Sequence, residues 1–220
     1  TSDLDYLSEM AQGIARQYSY GTANAQIIGK ALQSDGLLKL AVLSAGLETT
    51  IQTQLVGDYN LPNVLAAIAI GTYFEMDIDT IKSALEAYQP SNSRSQLLEK
   101  GTNTIILDAY NANPSSMKLA LENMSTLHSA KDKWLLLGAM KEMGERCEEE
   151  HKALVEQAQQ LQFQHVVLVG EEFEAVKGAY QWFATSAEAH DWIVQQPIRN
   201  SVILVKGSRG SKMEVVLDAL

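Results

Sequence analysis

The alternation of apolar and helical segments in the second half of the chain is the feature that most constrains its fold. Short apolar runs that suit strands occur at residues 104–108, 133–138, 165–170 and 201–207. Stretches that suit helices lie between them, near residues 115–129, 146–162, 171–178 and 186–195. Nearly continuous apolar strands that alternate with helices are typical of a parallel sheet covered on both faces. The pattern therefore predicts an α/β domain with a mostly parallel, doubly wound sheet.

The first part of the chain has a different pattern. Short extended runs occur at residues 18–21, 27–34, 37–42 and 50–56. An apolar segment at residues 63–73 suits a buried helix, and we expect Asp79 to cap the short helix that follows it. Residues 89–93 read QPSNS, a composition that marks a hinge or linker. We therefore predict two domains, residues 1–89 and residues 90–220.

The charge balance and the single cysteine narrow the classes of function. The formal net charge is −10, which argues against a nucleic-acid-binding surface but leaves room for a local basic pocket. Cys147 stands among acidic residues, which would raise the pKa of its thiol and disfavour a nucleophilic role. No apolar run approaches the roughly 18 residues of a membrane-spanning helix. No signal peptide is visible, so we expect a cytoplasmic protein. The missing initiator methionine suggests a piece of a longer chain.

Asp108 is the first candidate site residue, because it ends the apolar run at residues 104–108. In doubly wound folds, ligands bind beyond the carboxyl ends of the strands, and a carboxylate there can accept hydrogen bonds from ribose hydroxyls. The alternative is that Asp108 orders the turn or caps the next helix. Asn111 and Asn113 follow in the same loop, and Asn113 is also a candidate N-cap for a helix that begins near Pro114.

Other candidate side chains lie in three further stretches. Arg94 follows the linker, where its planar guanidinium either clamps a phosphate or forms a surface salt bridge. Residues 206–212 read KGSRGSK and combine cations, hydroxyls and glycines, which suits a carboxylate or phosphate site. In the segment GDYNLPN, we expect Asn63 to cap the following helix, while Asn60 either binds a base edge or orders the turn. His151 is interpreted as a solvated or packing residue rather than a base.

Several well-known catalytic motifs are absent from the sequence. It contains no P-loop of the form G-x-x-x-x-G-K-[ST], no Cys/His set with zinc spacing, no G-x-S-x-G and no H-E-x-x-H. We therefore assign no nucleophile, no general base and no metal ligand from the residues alone.

Five segments, taken together and in order, resemble the Mur ligase family, in particular its D-alanyl-D-alanine-adding branch. They read GDYNLPNVLAAIAIG, SNSRSQ, LDAYNANPSSM, LLGAMKEMGERCEEEH and VKGSRGSKME, and they fall within about residues 50–215. The resemblance implies an ATP- and Mg²⁺-dependent amide ligase of peptidoglycan synthesis. Its substrates would be UDP-N-acetylmuramoyl-tripeptide and D-alanyl-D-alanine. The intact enzyme is expected to be a monomer that neither binds nucleic acid nor inserts into membranes.

The resemblance also implies a domain assignment. Residues 1–89 would be the end of the central ATP-binding α/β domain of a three-domain enzyme. Residues 90–220 would be the Rossmann-like C-terminal Mur ligase domain. The P-loop and most of the magnesium ligands would then lie in a part of the protein outside this chain.

Roles for individual residues follow from the same resemblance. The residues implied in nucleotide binding are Asn60 and Asn63 at the adenine, Arg94 at the phosphates, Asp108 at the ribose, and Tyr110 and Asn111 in the same loop. The residues implied in substrate binding are Asn113, Lys206, Ser208 and Arg209, the last three at the dipeptide, with its carboxylate as the expected group. The loop at residues 138–144 would face the same cleft. Two positions depart from the family: Tyr59 stands where many Mur ligases have His, and Ala139 where Asp is common.

Two alternatives remain at this stage. The chain by itself could be a non-catalytic nucleotide- or dipeptide-binding module, because it lacks the P-loop. A folylpolyglutamate synthase-like ligase shares the architecture, but its loops are not expected to carry both Asn-Ala-Asn-Pro and Lys-Gly-Ser-Arg-Gly.

Overall fold

The computed structural model describes residues 1–33, 36–44 and 46–220. These residues form two compact units, Thr1–Gln89 and Pro90–Leu220. Across the described ranges, every helix is too short or too polar to cross a membrane.

The first unit is built on a four-stranded sheet whose strands lie side by side in chain order. The strands are β1 (Tyr20–Gly21), β2 (Ile27–Leu32), β3 (Leu37–Ser44) and β4 (Leu47–Val56). The helices are α1 (Asp5–Met10), α2 (Leu61–Tyr73) and α3 (Ile78–Ala87). β1 and β2 are parallel, whereas the other neighbours are antiparallel. Each of the four predicted extended runs contains a strand. Tyr18, Ser19 and Gln33 lie outside these strands, and Ser34 lies outside the described residues.

Helix α2 packs on the sheet at a point where a strand has no side chain. A Cβ atom on Gly29 would lie 2.3 Å from Cδ2 of Leu65, so glycine is required for this close approach. The predicted helix is therefore confirmed, but it is not buried on every side. Ile70 on the other side of α2 is 60% exposed.

Both predicted helix caps in this unit are wrong. Helix α2 begins at Leu61, so Asn63 lies within its first turn rather than before it. Helix α3 is capped by Asp77, whose carboxylate accepts a hydrogen bond from the backbone N–H of Thr80 at 2.8 Å. Asp79 lies inside that helix, two residues after the cap position, where its side chain does not meet the free N–H groups as a cap.

The second unit is built on a six-stranded sheet with the order β5-β6-β10-β7-β8-β9. The strands are β5 (Gln96–Lys100), β6 (Asn103–Asp108), β7 (Asp132–Gly138), β8 (His165–Val169), β9 (Gln181–Phe183) and β10 (Ser201–Lys206). The helices are α4 (Pro114–Thr126), α5 (Cys147–Gln160) and α6 (Ser186–Gln195). Only β5 runs antiparallel to its neighbour in this sheet. The predicted α/β fold with a mostly parallel sheet is confirmed.

Strand β10 lies at the centre of this sheet, next to the position where a ligand crevice is expected. All six of its residues are buried. It pairs with β6 on one side and β7 on the other. Right-handed crossovers place α4 and α5 on one face of the sheet, whereas α6 and the 3₁₀ helix Met213–Ala219 pack against β10 on the other. The segments that follow β6 and β10 therefore lie on opposite faces of the sheet. Such a switch point opens a crevice at the carboxyl ends of the strands.

Three segments of this unit differ from prediction. The helix predicted at residues 171–178 is wrong, because only Glu171–Phe173 forms a single 3₁₀ turn. Gly170 before it and Gly178 at its end have φ of +125° and +58°, which a regular helix does not accommodate. The strands β5 and β9 are not predicted, because both lie at sheet edges and their sequences lack a continuous apolar run.

Candidate active site

An ion pair joins the carboxyl ends of β6 and β10. The two strands are parallel neighbours, and their register places Lys206 opposite Asp108. The ammonium group of Lys206 donates a hydrogen bond to Oδ2 of Asp108. The Lys206 side chain is only 2% exposed and that of Asp108 15%. The pair is therefore largely removed from water, where opposite charges interact more strongly than at a surface.

The loop before β5 is attached to the same carboxylate. Oδ1 of Asp108 accepts a hydrogen bond from the backbone N–H of Ser95 at 3.2 Å. The carbonyl oxygen of Ser93 accepts hydrogen bonds from the N–H groups of Ala109 and Tyr110, at 2.8 and 3.2 Å. These bonds tie the loop to the residues that follow β6, and Arg94 projects from its exposed side.

The backbone around Arg94 has an unusual conformation. Asn92, Ser93 and Ser95 have φ of +56°, +58° and +46°. Residues with a Cβ other than asparagine and aspartate rarely adopt this left-handed region, which costs about 1–2 kcal/mol for Ser93 and for Ser95. Such a conformation persists only where surrounding bonds hold it, and strained backbone often marks a functional site. Here the surrounding bonds come from Asp108 and from the residues after it.

Tyr110 lies next to two guanidinium groups. The Cζ atom of Arg94 lies over the Tyr110 ring, 3.7 Å from its centroid, and that of Arg209 lies at 5.7 Å. Both distances are within the range of cation–π attraction. The pKa of Tyr110 is lowered, first by a hydrogen bond from Arg94 and then by the positive charges of Arg94 and Arg209. Three loops thus bring their side chains to one place at this sheet edge.

The two asparagines of the loop after β6 have local roles. Oδ1 of Asn113 accepts a hydrogen bond from the N–H of Ser116 at 2.9 Å, and the Ser116 hydroxyl accepts one from the N–H of Asn113 at 3.1 Å. This reciprocal capping box begins α4 at Pro114, so the proposed N-cap is confirmed. Oδ1 of Asn111 accepts a hydrogen bond from the N–H of Ala112 at 2.9 Å. The Asn111 side chain is otherwise on the surface.

The loops that follow β7 and β10 are bonded to each other. The hydroxyls of Ser208 and Ser211 donate to the carbonyl oxygen of Ala139 at 2.5 and 2.8 Å. The Ser208 hydroxyl also accepts a hydrogen bond from the N–H of Lys141 at 3.1 Å. A Cβ atom on Gly207 would lie 2.8 Å from Cα of Gly138, so a side chain there would hold the loops apart. The buried Ser208 therefore fixes the loop that carries Arg209.

His151 holds the loop after β7 through a hydrogen bond to its backbone. Its side chain is fully buried, and Nε2 accepts a hydrogen bond from the N–H of Met140 at 3.0 Å. Nδ1 lies 2.6 Å from the carbonyl oxygen of Cys147 and donates to it, so the ring is neutral. Burial lowers the pKa of His151, and nearby Lys141 acts in the same direction, whereas the bond to Cys147 and the carboxylates of Glu172 and Glu150 oppose it.

The role of His151 was only partly visible in the sequence. Of its two interpretations, a solvated or a packing residue, the structure shows the second. The signal lies in the spacing, because His151 shares the buried face of α5 with Leu154, Val155 and Ala158. The spacing of apolar residues on α5 does not reveal the hydrogen bond between His151 and Met140. Cys147 has a raised thiol pKa, chiefly through burial and then through Glu172, in the direction predicted from its acidic neighbours.

The candidate residues of the first unit form a separate group. Asn60 is buried, and its Nδ2 donates to the carbonyl oxygen of Val56 at 2.9 Å. Its Oδ1 accepts a hydrogen bond from Nδ2 of Asn63 at 3.1 Å. Asn60 therefore orders the turn before α2, the second of the two roles considered for it. Asn63 is exposed at the start of that helix.

The groove between α4 and α5 does not coincide with the candidate site, and the described residues form no metal cluster there. This groove has a volume of about 520 Å³, and its walls contain none of the predicted site residues. In the described ranges, no group of three or more His, Cys, Asp or Glu side chains could hold a metal ion. The residues present therefore do not fit a resident Mg²⁺ by themselves. What the edge beyond β6 and β10 offers is positive charge: Arg94, Arg209 and the paired Lys206.

Comparison with known proteins identifies a family whose model matches the part of the chain that contains this edge. Residues 93–209 match the model of the family described as "Mur ligase, glutamate ligase domain", a range that spans every candidate residue of the second unit. The UDP-N-acetylmuramoyl-tripeptide–D-alanyl-D-alanine ligase of Bacillus subtilis is 28% identical over 215 residues, or 93% of this chain and 47% of that protein. The ligase of the same name from Escherichia coli is 31% identical over 196 residues, or 81% and 42%.

Solved structures show the same likeness. A crystal structure of MurF from Acinetobacter baumannii is 25% identical, with a TM-score of 0.78 over 91% of this chain and 46% of that one. A MurF ligase from Thermotoga maritima in complex with ADP has the same fold, with 22% identity and a TM-score of 0.76 over 91% of this chain and 47% of that one. The chain spans about half the length of the curated relatives it matches. With more than half of its residues matched by the family model, the chain belongs to the Mur ligase family.

Proposed function

We propose that this chain is the carboxyl-terminal part of an ATP-dependent ligase that adds D-alanyl-D-alanine to UDP-N-acetylmuramoyl-tripeptide in cytoplasmic peptidoglycan synthesis. The observation that carries the proposal is the positively charged edge beyond β6 and β10, which lies within the family match. The names of the relatives give the substrate class. Residues 1–89 would complete the central ATP-binding domain, and residues 90–220 would be the C-terminal domain. The intact protein is proposed to act as a monomer.

The chemistry of such a ligase has two steps. ATP phosphorylates the tripeptide carboxylate, and the amine of D-alanyl-D-alanine then attacks the acyl phosphate and releases phosphate. Neither step needs a protein nucleophile; both need neutralised phosphate charge and a positioned amine. Exposed guanidinium groups beside a buried ion pair meet the first need. Magnesium ligands and the P-loop are proposed to lie in the part of the protein outside this chain.

We propose two groups of contacts for the residues of the chain. In the nucleotide group, Asn63 contacts the adenine, and Asn60 has an indirect role, because its buried amide orders the turn and is bonded to Asn63. Arg94 contacts the phosphates and Asp108 the ribose, with Tyr110 and Asn111 beside them. In the dipeptide group are Asn113, Lys206, Ser208 and Arg209. The buried positions of Lys206 and Ser208 favour indirect roles for these two, in which Lys206 orients Asp108 and Ser208 fixes the Arg209 loop.

An acceptor competition assay on the intact protein tests this function. With UDP-N-acetylmuramoyl-tripeptide and ATP, we expect D-alanyl-D-alanine to be incorporated and D-alanine alone to be a poor acceptor. Preferential addition of a single amino acid would contradict the assignment to this branch.

A second candidate function applies to the 220 residues by themselves. Because they contain no P-loop, and because the described residues hold no carboxylate cluster for a metal, the isolated chain is proposed to bind ligands without turnover. Calorimetric titration with ADP and then with D-alanyl-D-alanine, repeated on Asp108→Ala and Arg209→Ala, measures that binding. ATP hydrolysis by the purified chain would contradict this second proposal.

A further inference from the structure

The two arginines at the sheet edge lack the partners that exposed arginines usually find. Arg94 and Arg209 form no ion pair with a carboxylate within the parts of the chain that the structure describes. The chain has 27 acidic residues and a net charge of −10, so partners are plentiful elsewhere. The carboxylate closest in sequence to Tyr110, that of Asp108, is engaged by Lys206 and Ser95.

Both arginines instead converge on one aromatic ring. Their Cζ atoms lie 3.7 and 5.7 Å from the Tyr110 ring centroid. Two like charges held this near to one ring repel each other, and the ring offsets only part of that repulsion. An anion bound between them would offset the rest. The geometry thus suits a ligand with more than one negative oxygen.

The backbones that carry these side chains are fixed, although the guanidinium groups are exposed. The Arg94 loop is bonded through Ser93 to the residues after β6. The Arg209 loop is bonded through Ser208 to Ala139. The Arg94 loop precedes β5 and the Arg209 loop follows β10, and these two strands lie on either side of β6 in the sheet. A site assembled from rigid elements binds with less loss of conformational entropy than one assembled from mobile loops.

We propose that Arg94 and Arg209 form a single oxyanion site on the shared platform of Tyr110, and that this site takes a phosphoryl group. The inference rests on the proposed function and deepens it, because it moves Arg209 from the dipeptide carboxylate to the phosphate being transferred. Two guanidinium forks match the charge and the three free oxygens of a phosphoryl group. A carboxylate has one charge and two oxygens, which a single fork satisfies. Tyr110 is a positioning residue in this site.

The test is calorimetric titration of the chain with inorganic pyrophosphate at low ionic strength. We expect Arg94→Gln and Arg209→Gln each to weaken binding about tenfold to a hundredfold, the range for hydrogen bonds to charged groups. The double variant should lose less than the product of the two single effects, because the arginines share one ligand. Tyr110→Leu should weaken binding through loss of the platform, whereas Tyr110→Phe, which keeps the ring, should retain most of it.

Arg199→Gln is the matched control. Arg199 is an exposed arginine just before β10, at the end of that strand opposite to Arg209. The substitution removes the same charge, so we expect pyrophosphate affinity to change less than twofold. An equal loss in Arg199→Gln would mean that net charge alone attracts the anion, and would overturn the proposal.

Other outcomes separate this proposal from the proposed function. If wild-type chain does not bind pyrophosphate, or if Arg209→Gln weakens only D-alanyl-D-alanine binding, the shared oxyanion site is wrong while the ligase assignment stands. If pyrophosphate binding behaves as expected but the intact protein prefers another acceptor, the oxyanion site stands and the D-alanyl-D-alanine assignment fails.

Discussion

Replacement of Lys206 by Met removes the ammonium group from the buried end of β10. Its partner Asp108 would keep a negative charge with 15% of its side chain exposed. Loss of one partner from a buried ion pair costs about 3–5 kcal/mol, because the remaining charge is uncompensated. The Ser95 N–H still donates to Asp108, and the carboxylate keeps some contact with water. We therefore expect the lower end, a loss of about 3 kcal/mol in the free energy of unfolding.

Urea unfolding followed by tryptophan fluorescence measures this loss. Trp134, Trp182 and Trp192 all lie in the second unit, so the signal reports that unit alone. With a urea slope of about 1–3 kcal/mol per M, the midpoint should fall by about 1–3 M. Asp108→Asn should cost more than Lys206→Met, because it leaves an ammonium group that is only 2% exposed. The double variant, which removes both charges, should recover much of the loss.

Lys152→Met provides the control, because it removes the ammonium group of an exposed pair. Lys152 and Glu156 lie one turn apart on α5, with 66% and 53% of their side chains exposed. Such pairs contribute at most about 0.5 kcal/mol. A shift for Lys206→Met no larger than the shift for Lys152→Met would refute the view that a desolvated pair stabilises this sheet edge.

Three further predictions concern the loops around the site. His151→Gln should remove a pH dependence of the free energy of unfolding. Because burial lowers the pKa of His151, the wild-type free energy of unfolding should be highest above a pH of about 6.5 and should decline as the pH falls through the folded-state pKa. Urea midpoints measured from pH 5 to 8 check whether this slope disappears in the variant. Asn113→Ala should cost about 1 kcal/mol through loss of the α4 cap, measured as a midpoint shift that Asn113→Asp largely avoids. Gly207→Ala should cost about 1–3 kcal/mol, because the added Cβ would lie 2.8 Å from Cα of Gly138; an unchanged midpoint would show that the loops can separate freely.

The sheet of the second unit could be predicted because its strands are buried on both faces. Short runs rich in Val, Ile and Leu, such as residues 202–205, are typical of strands that are covered on both faces. Edge strands lack this signal, which is why the sequence does not predict β5. Residues 171–178 predict a helix because their composition is helical, whereas the structure has a 3₁₀ turn at Glu171–Phe173 because of the conformations of Gly170 and Gly178.

The candidate site was predictable as a set of residues but not as a set of contacts. Strand-end positions identified Asp108 and Lys206, because parallel strands end at the same sheet edge. The sequence does not say that Lys206 turns inward to Asp108, since a lysine after an apolar run can equally face water. Nor does it show that Tyr110 contacts two arginines from loops that are distant in sequence.

The position of β10 has a consequence for how the second unit is made. This strand occupies the centre of the sheet, yet it is the last of the six to be synthesised. Until it emerges from the ribosome, β6 and β7 have no central neighbour, and their apolar edges stay open to wrong partners. Pairing of β10 with β6 joins residues nearly one hundred positions apart, and contacts of such long range slow folding. We expect the unit to fold only after translation of its final strand, with a chain that ends before Ser201 prone to aggregate.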